Sequence, residues 1–264
     1  MILPGSPLFF ASSIAAAAGY LVVALGHQRL GQRLAQLLFA ATWALHGLAL
    51  VAYWWCYPNH FGFAVAISIT AWLVSTIYGI ETQLQPKLRA RWVLAGFGAA
   101  AVGLAVVFPG SVHPAASSVW LPIHWALGLA SYGLIAVAVF HAWLVKRTEL
   151  AIRHAEAHED HIPLLGLERL MFQFVGAGFV LLTATLIVGL GFTDMLYGVR
   201  FRWDHKTIFS VLSWLTLAVL LIGRWRLGWR GKTAARTLYV GAGLLLMGYV
   251  GSRFVLEVLL ARAA

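Results

Sequence analysis

The chain has 264 residues, 61% of them hydrophobic and only 11% charged, with a formal charge of +10 and a mean hydropathy of +0.82. A soluble domain carries about a quarter charged residues, so composition excludes an ordinary soluble fold. The single cysteine, Cys56, excludes an internal disulfide, a cysteine-rich zinc centre and an intrachain CxxC pair.

Eight apolar runs occupy roughly 8–26, 35–54, 61–79, 92–108, 120–145, 169–192, 206–223 and 235–257. Each is near the roughly 20 residues that cross a bilayer. They predict an all-α, polytopic transmembrane helix bundle of about eight helices, with 1–264 as a single transmembrane domain. The first run lacks the basic flank and small-residue cleavage site of a secretory signal and reads as a retained helix. Positive charge falls in alternate loops: Arg29 and Arg33; Lys87, Arg89 and Arg91; Lys146, Arg147 and Arg153; Arg224, Arg226, Arg230 and Lys232. The loops between them carry only Arg200 and Arg202. The positive-inside rule then makes the first set cytoplasmic and turns both termini outward. Charge so placed sets membrane orientation, which argues for the lipid bilayer as partner and against nucleic acid. Trp54, Trp55, Trp120 and Trp203 mark the outer interface, and Trp92, Trp143, Trp225 and Trp229 the inner one.

His46 lies near the middle of the second run, with Thr42, Trp43, Leu50 and Tyr53 on the same side of a helix. An ionisable group at that depth is costly and points to function. Two readings stand: a metal ligand, or a neutral imidazole hydrogen-bonded to a neighbouring helix. Cys56, at the outer end of this run, reads as a free thiol with a packing role. His124 opens the fifth run, followed on one face by Gly128, Ser131, Ile135, Ala138 and Ala142. Small residues there admit close approach by another helix or by a flat ligand. His141 is about 25 Å further along the helix, too far to share a compact site with His124.

The polar stretch 146–168 holds His154, Glu156, His158, Glu159, Asp160 and His161 without an ordered ligand spacing, and reads as a solvated loop rather than a zinc site. No phosphate-binding glycine loop, dinucleotide fingerprint or nucleophile–base pair is present, which argues against an independent enzyme. Before the seventh run the chain reads Tyr197-Gly198-Val199-Arg200-Phe201-Arg202-Trp203-Asp204-His205-Lys206, continuing to Ser210 and Trp214. Aromatic rings flanking two arginines make either an interfacial belt or an apolar platform with cationic partners for carboxylates.

This tract resembles the tryptophan-rich motif WGxxWxWDPKExxSxxxW of CcsA-type cytochrome c assembly proteins. Gly198, Trp203, Asp204, Lys206, Ser210 and Trp214 match it in register. Tyr197 and Phe201 stand where the family has tryptophan, and His205 and Thr207 where it has proline and glutamate. The resemblance covers about 120–257, and His124 through Tyr132 is similar to the family's outer-side histidine before a Ser-Tyr helix. The whole-chain pattern is closest to the small HemX-like and YpjD-like inner-membrane branches, through His46, Leu167-Glu168-Arg169, Gly228-Trp229-Arg230-Gly231 and Gly251-Ser252-Arg253. Two histidines of the synthases are replaced, by the Ile222–Arg226 stretch and by Arg253.

The resemblance implies a bacterial inner-membrane protein that binds b-type haem, non-covalently since no CxxCH is present; the charge pattern makes its termini periplasmic. It implies an accessory or haem-delivery role beside a membrane or periplasmic assembly partner. In that reading His124 is the axial ligand to the metal, and His46 or His205 supplies a second position. Trp203 and Asp204 belong to the platform, and Arg200, Arg202 and Arg253 face the propionates. Arg253 has Glu257, one turn on, as its alternative partner. The alternative function is a non-enzymatic scaffold or partner of another membrane protein, such as a transporter.

Overall fold

The structure is a computed structural model and describes residues 7–57, 60–84, 90–112, 120–153, 163–191 and 204–260. A bilayer offers no water to backbone N–H and C=O groups, so apolar runs of this length satisfy them internally as helices. All eight predicted runs lie in helices, with ends shifted by a few residues. Seven helices among the described residues are long and apolar enough to cross a membrane, and Arg91–Val107 is a shorter apolar one. The largest shift is at the end of the fifth helix. It runs on to Arg153, with Glu149 and Arg153 paired at 2.5 Å one turn apart and no glycine or proline to stop it. The helices form two compact units, residues 1–115 with 253–264, and residues 116–252.

In the first unit α1 (Pro7–Leu25) lies against α2 (Gln32–Cys56) and α4 (Arg91–Val107), and α3 (Phe63–Leu84) lies against α4. Small residues permit this closeness. A Cβ on Gly19 would stand 2.6 Å from Thr42 Oγ1, and one on Gly98 would stand 2.9 Å from the Tyr20 ring. At one end the His27 ring stacks on Trp92 at 5.2 Å, and the Arg91 guanidinium donates to the Gln32 carbonyl at 3.1 Å. At the other, β1 (His60–Phe61) pairs antiparallel with β2 (Ser111–Val112). There the Tyr53 hydroxyl bonds the carbonyls of His60 at 3.0 Å and Pro109 at 2.5 Å. Within this unit, then, the loop after α1 and the start of α4 share one end, and His60–Phe61 and Ser111–Val112 share the other.

The second unit comprises α5 (Trp120–Arg153), α6 (Leu164–Gly191), α7 (His205–Leu227) and the first part of α8. That last helix starts at Gly231 and is regular to Leu246. It then passes through a π-helical stretch, Met247–Gly251, and after Ser252–Phe254 through another, Val255–Leu259. Ile135, Ala138, Met171, Val175, Leu182, Leu217 and Leu238 meet in the core of this unit. The small-residue face of α5 is closed by α6: Ser131 donates to the Gly178 carbonyl at 3.0 Å. A Cβ on Gly178 would stand only 2.8 Å from Ile135. Of the two occupants the sequence leaves open for that face, the structure shows a helix. At the arginine-rich end, Glu168 accepts the first amide of α8, Gly231 N–H, at 3.3 Å and lies 4.0 Å from Arg230.

Candidate functional site

His124 sits in the first turns of α5, half-buried against the last turns of α6. Its Nδ1 lies 3.1 Å from the carbonyl oxygen of Thr185. A carbonyl can only accept, so Nδ1 carries the hydrogen and the neutral ring keeps its lone pair on Nε2. One turn beyond Thr185, Gly189 makes room for the ring, since a Cβ there would lie 2.9 Å from His124 Cε1. Backbone alone therefore fixes both the tautomer and the seat of this imidazole. Neither Thr185 nor Gly189 was legible as a site residue, because a carbonyl partner leaves no mark in side-chain identity.

The part of the tryptophan-rich tract within the described residues begins at Asp204. Its carboxylate caps α7 by accepting Thr207 N–H at 2.8 Å. Asp204 and His205 are exposed at the start of that helix. Trp214 donates from its indole nitrogen to Thr183 Oγ1 at 2.9 Å and stacks on Phe179 at 5.5 Å, joining α7 to α6. Ser210 faces Gly248 of α8, whose added Cβ would meet Ser210 Oγ at 3.0 Å. The start of α5, through His124, and the N-terminal half of α7, through Trp214, thus both pack on the C-terminal half of α6. Arg200, Arg202 and Trp203 lie outside the described residues, as do Tyr197, Gly198 and the cluster His154–His161.

His46 belongs to the first unit and is fully buried. Its Nδ1 lies 3.3 Å from the Tyr20 hydroxyl and its Nε2 2.9 Å from Ser68 Oγ, so hydroxyls of α1 and α3 engage both ring nitrogens. The cavity beside it, which Ser13, Tyr53 and Val102 also line, measures about 10 Å³, the room of a single water and far below that of a macrocycle. Arg253 is buried in the same unit, where Phe254 stands edge-on to Phe63 at 5.4 Å and Glu257 lies beside Gly62. His141 is buried between α5 and α6 against Phe174, its Nδ1 donating to the Val137 carbonyl at 2.9 Å. Among the described residues no three His, Cys, Asp or Glu side chains gather as a metal-holding group.

Comparison with known proteins decides the family. The sequence profile of the cytochrome C assembly proteins matches residues 31–260. The chain belongs to the cytochrome c assembly protein family. Within and around it, the chain is 33% identical over 152 residues to an uncharacterised 28.8 kDa protein of Azospirillum brasilense, covering 56% of each. It is 31% identical over 139 residues to the inner membrane protein YpjD of Escherichia coli K12, covering 52% of each. Against the cytochrome c biogenesis protein CcsA of Prochlorococcus marinus it is 27% identical over 171 residues, covering 55% of this chain and 54% of the relative. The chain spans about half the length of the curated relatives it matches. Seven long apolar helices together with the YpjD match make this family member a multi-pass inner-membrane protein.

Proposed function

We propose that this protein binds b-type haem non-covalently at the outer-facing end of its second unit and serves cytochrome c assembly as an accessory or delivery factor. The observation that carries the reading is the 3.1 Å approach of His124 Nδ1 to the Thr185 carbonyl. An imidazole whose Nδ1–H is held by a backbone carbonyl presents Nε2 as a ready ligand, the arrangement typical of metal-binding histidine. Bound haem would supply an iron centre whose potential depends on that ligand, on its hydrogen bonding and on burial. His124 would hold the iron, and His205, which opens the helix that carries Trp214 against α6, is the candidate for a second contact. His46 would join only by giving up its bond to Ser68. Arg200, Arg202 and Trp203 are assigned to the propionates and the platform from the resemblance to the family motif. Both termini face the periplasm in this reading, because the arginine-rich ends are cytoplasmic.

A scaffold role for another membrane protein draws support from Asp204 and Trp214, whose polar groups serve helix capping and helix packing. One comparison separates the two. Optical spectra of the detergent-purified wild type, His124→Ala, His205→Ala and Trp203→Ala are taken at equal protein recovery, oxidised and reduced. Haem handling predicts a Soret band that shifts on reduction, is lost or changes spin state in His124→Ala, and weakens by degrees in Trp203→Ala. A wild type that carries no haem and cannot be reconstituted favours the scaffold.

A further inference from the structure

The last helix loses its α-helical register at a definable place. In a regular helix the amide of Tyr249 would bond the carbonyl of Leu245, four residues earlier. Here the Tyr132 hydroxyl of α5 donates to the Leu245 carbonyl, at the last turn before the π stretch Met247–Gly251. A phenol has one hydrogen to give and lone pairs to receive, so a hydroxyl seated at the Leu245 carbonyl can take up that carbonyl and also receive the amide that an α turn would direct to it. Directly after, Ser252 N–H reaches the Met247 carbonyl, five residues back, the signature of a π turn. Insertion of a side chain into the backbone ladder is one of the few physical causes of such a break. The widened turn is seated closely: Gly248 faces Ser210 of α7, and Ser252 Oγ donates to the Gly248 carbonyl at 2.9 Å.

We propose that Tyr132 is a positioning residue, whose hydroxyl splits the Leu245–Tyr249 backbone pair and so sets the π register of α8. A π turn carries one residue more than an α turn. Whatever follows in the helix, Ser252 and Arg253 included, is therefore rotated by about 100° from where an unbroken helix would aim it. The inference stands on backbone geometry and is independent of haem. It also gives the Ser-Tyr pair of α5 separate tasks: Ser131 closes α6 onto α5, and Tyr132 fixes the direction of the last helix.

The test is cysteine scanning of positions 235–259, one at a time, in the full-length Cys56→Ser chain in native membranes, read by labelling with a membrane-impermeant and a lipid-soluble maleimide. The wild-type pattern should follow the helical period up to Leu245, slip by one position across Met247–Gly251, and slip again across Val255–Leu259. A pattern with a single unbroken period overturns the proposal without any change at Tyr132. In Tyr132→Phe, which keeps the ring and loses only the hydroxyl, the Leu245–Tyr249 bond closes and the downstream pattern moves by one position. Adding a deletion of Met247, an exposed residue of the π turn, to Tyr132→Phe should return the downstream pattern to that of the wild type. An unmoved pattern in Tyr132→Phe, or no return in the double variant, refutes the role of the hydroxyl.

Discussion

Gly189→Ala tests the His124 site without touching the histidine. The new Cβ would stand 2.9 Å from His124 Cε1, about 0.6 Å inside the roughly 3.5 Å at which carbon atoms make favourable contact. Thr185 and Gly189 lie one turn apart on the same face of α6, so a ring pushed off one is also drawn from the other. The Nδ1–Thr185 distance, now 3.1 Å, would pass the ~3.2 Å limit of a good N–H···O bond. Loss of such an outer partner costs a metal-bound histidine about 10–100-fold in affinity, or roughly 1.4–2.7 kcal/mol. Haem titration of purified Gly189→Ala, with the Soret position as a second reading, measures this directly. His124→Ala runs beside it as the complete loss. Wild-type affinity and spectrum in Gly189→Ala, with loss in His124→Ala, would refute the claim that the carbonyl tunes the ligand. Wild-type behaviour in both would remove His124 from the site altogether.

His46→Ala should destabilise the first unit rather than change haem content. Interhelical hydrogen bonds in membranes average about 0.6 kcal/mol, and His46 makes two, so a loss of ~1 kcal/mol from bonding is joined by that of a buried ring; an unchanged thermal midpoint in detergent would contradict it. Asp204→Ala removes the α7 cap and should cost about 1 kcal/mol, visible as a lowered midpoint, whereas Asp204→Asn or Asp204→Ser should recover most of it. For orientation, a reporter fused after Lys87 should be active in the cytoplasm and one after Ser111 in the periplasm; cytoplasmic activity at Ser111 would reverse the topology.

The helices were legible because lipid leaves the backbone one solution and hydropathy marks where it applies. Their ends were less so: Lys146–Arg153 is polar enough to end an apolar run yet has nothing in it to end a helix. The π stretch was invisible for another reason. Met247–Gly251 carries no proline, and the break comes from a hydroxyl more than a hundred residues away in sequence. At the candidate site, sequence picked out His124 by its motif, while the features that orient it are a carbonyl and a missing side chain. The intramembrane position of His46 was equally conspicuous, and its two open readings differ only in what Tyr20 and Ser68 do, which no pattern along α2 encodes.

His124 and His46 differ in the chemistry of their partners as much as in place. A carbonyl accepts and never donates, so Thr185 commits His124 to one tautomer whatever else binds. Hydroxyls do either, so Tyr20 and Ser68 leave His46 free to carry its hydrogen on either nitrogen. No side-chain substitution at Thr185 removes the bond that holds His124, since it is made by the backbone. Ser68→Ala, by contrast, removes the partner of His46 Nε2 while keeping α3 helical. The substitutions Thr185→Ala and Ser68→Ala therefore differ in what they do to the histidine each one faces. Thr185→Ala should leave the haem spectrum as it is, the ring of His124 keeping its tautomer. Ser68→Ala should shift the histidine 15N resonances of His46 in selectively labelled protein and leave haem content unchanged. A gain of haem in Ser68→Ala would show instead that Ser68 is what keeps His46 from the metal, and would bring the buried histidine back as a ligand.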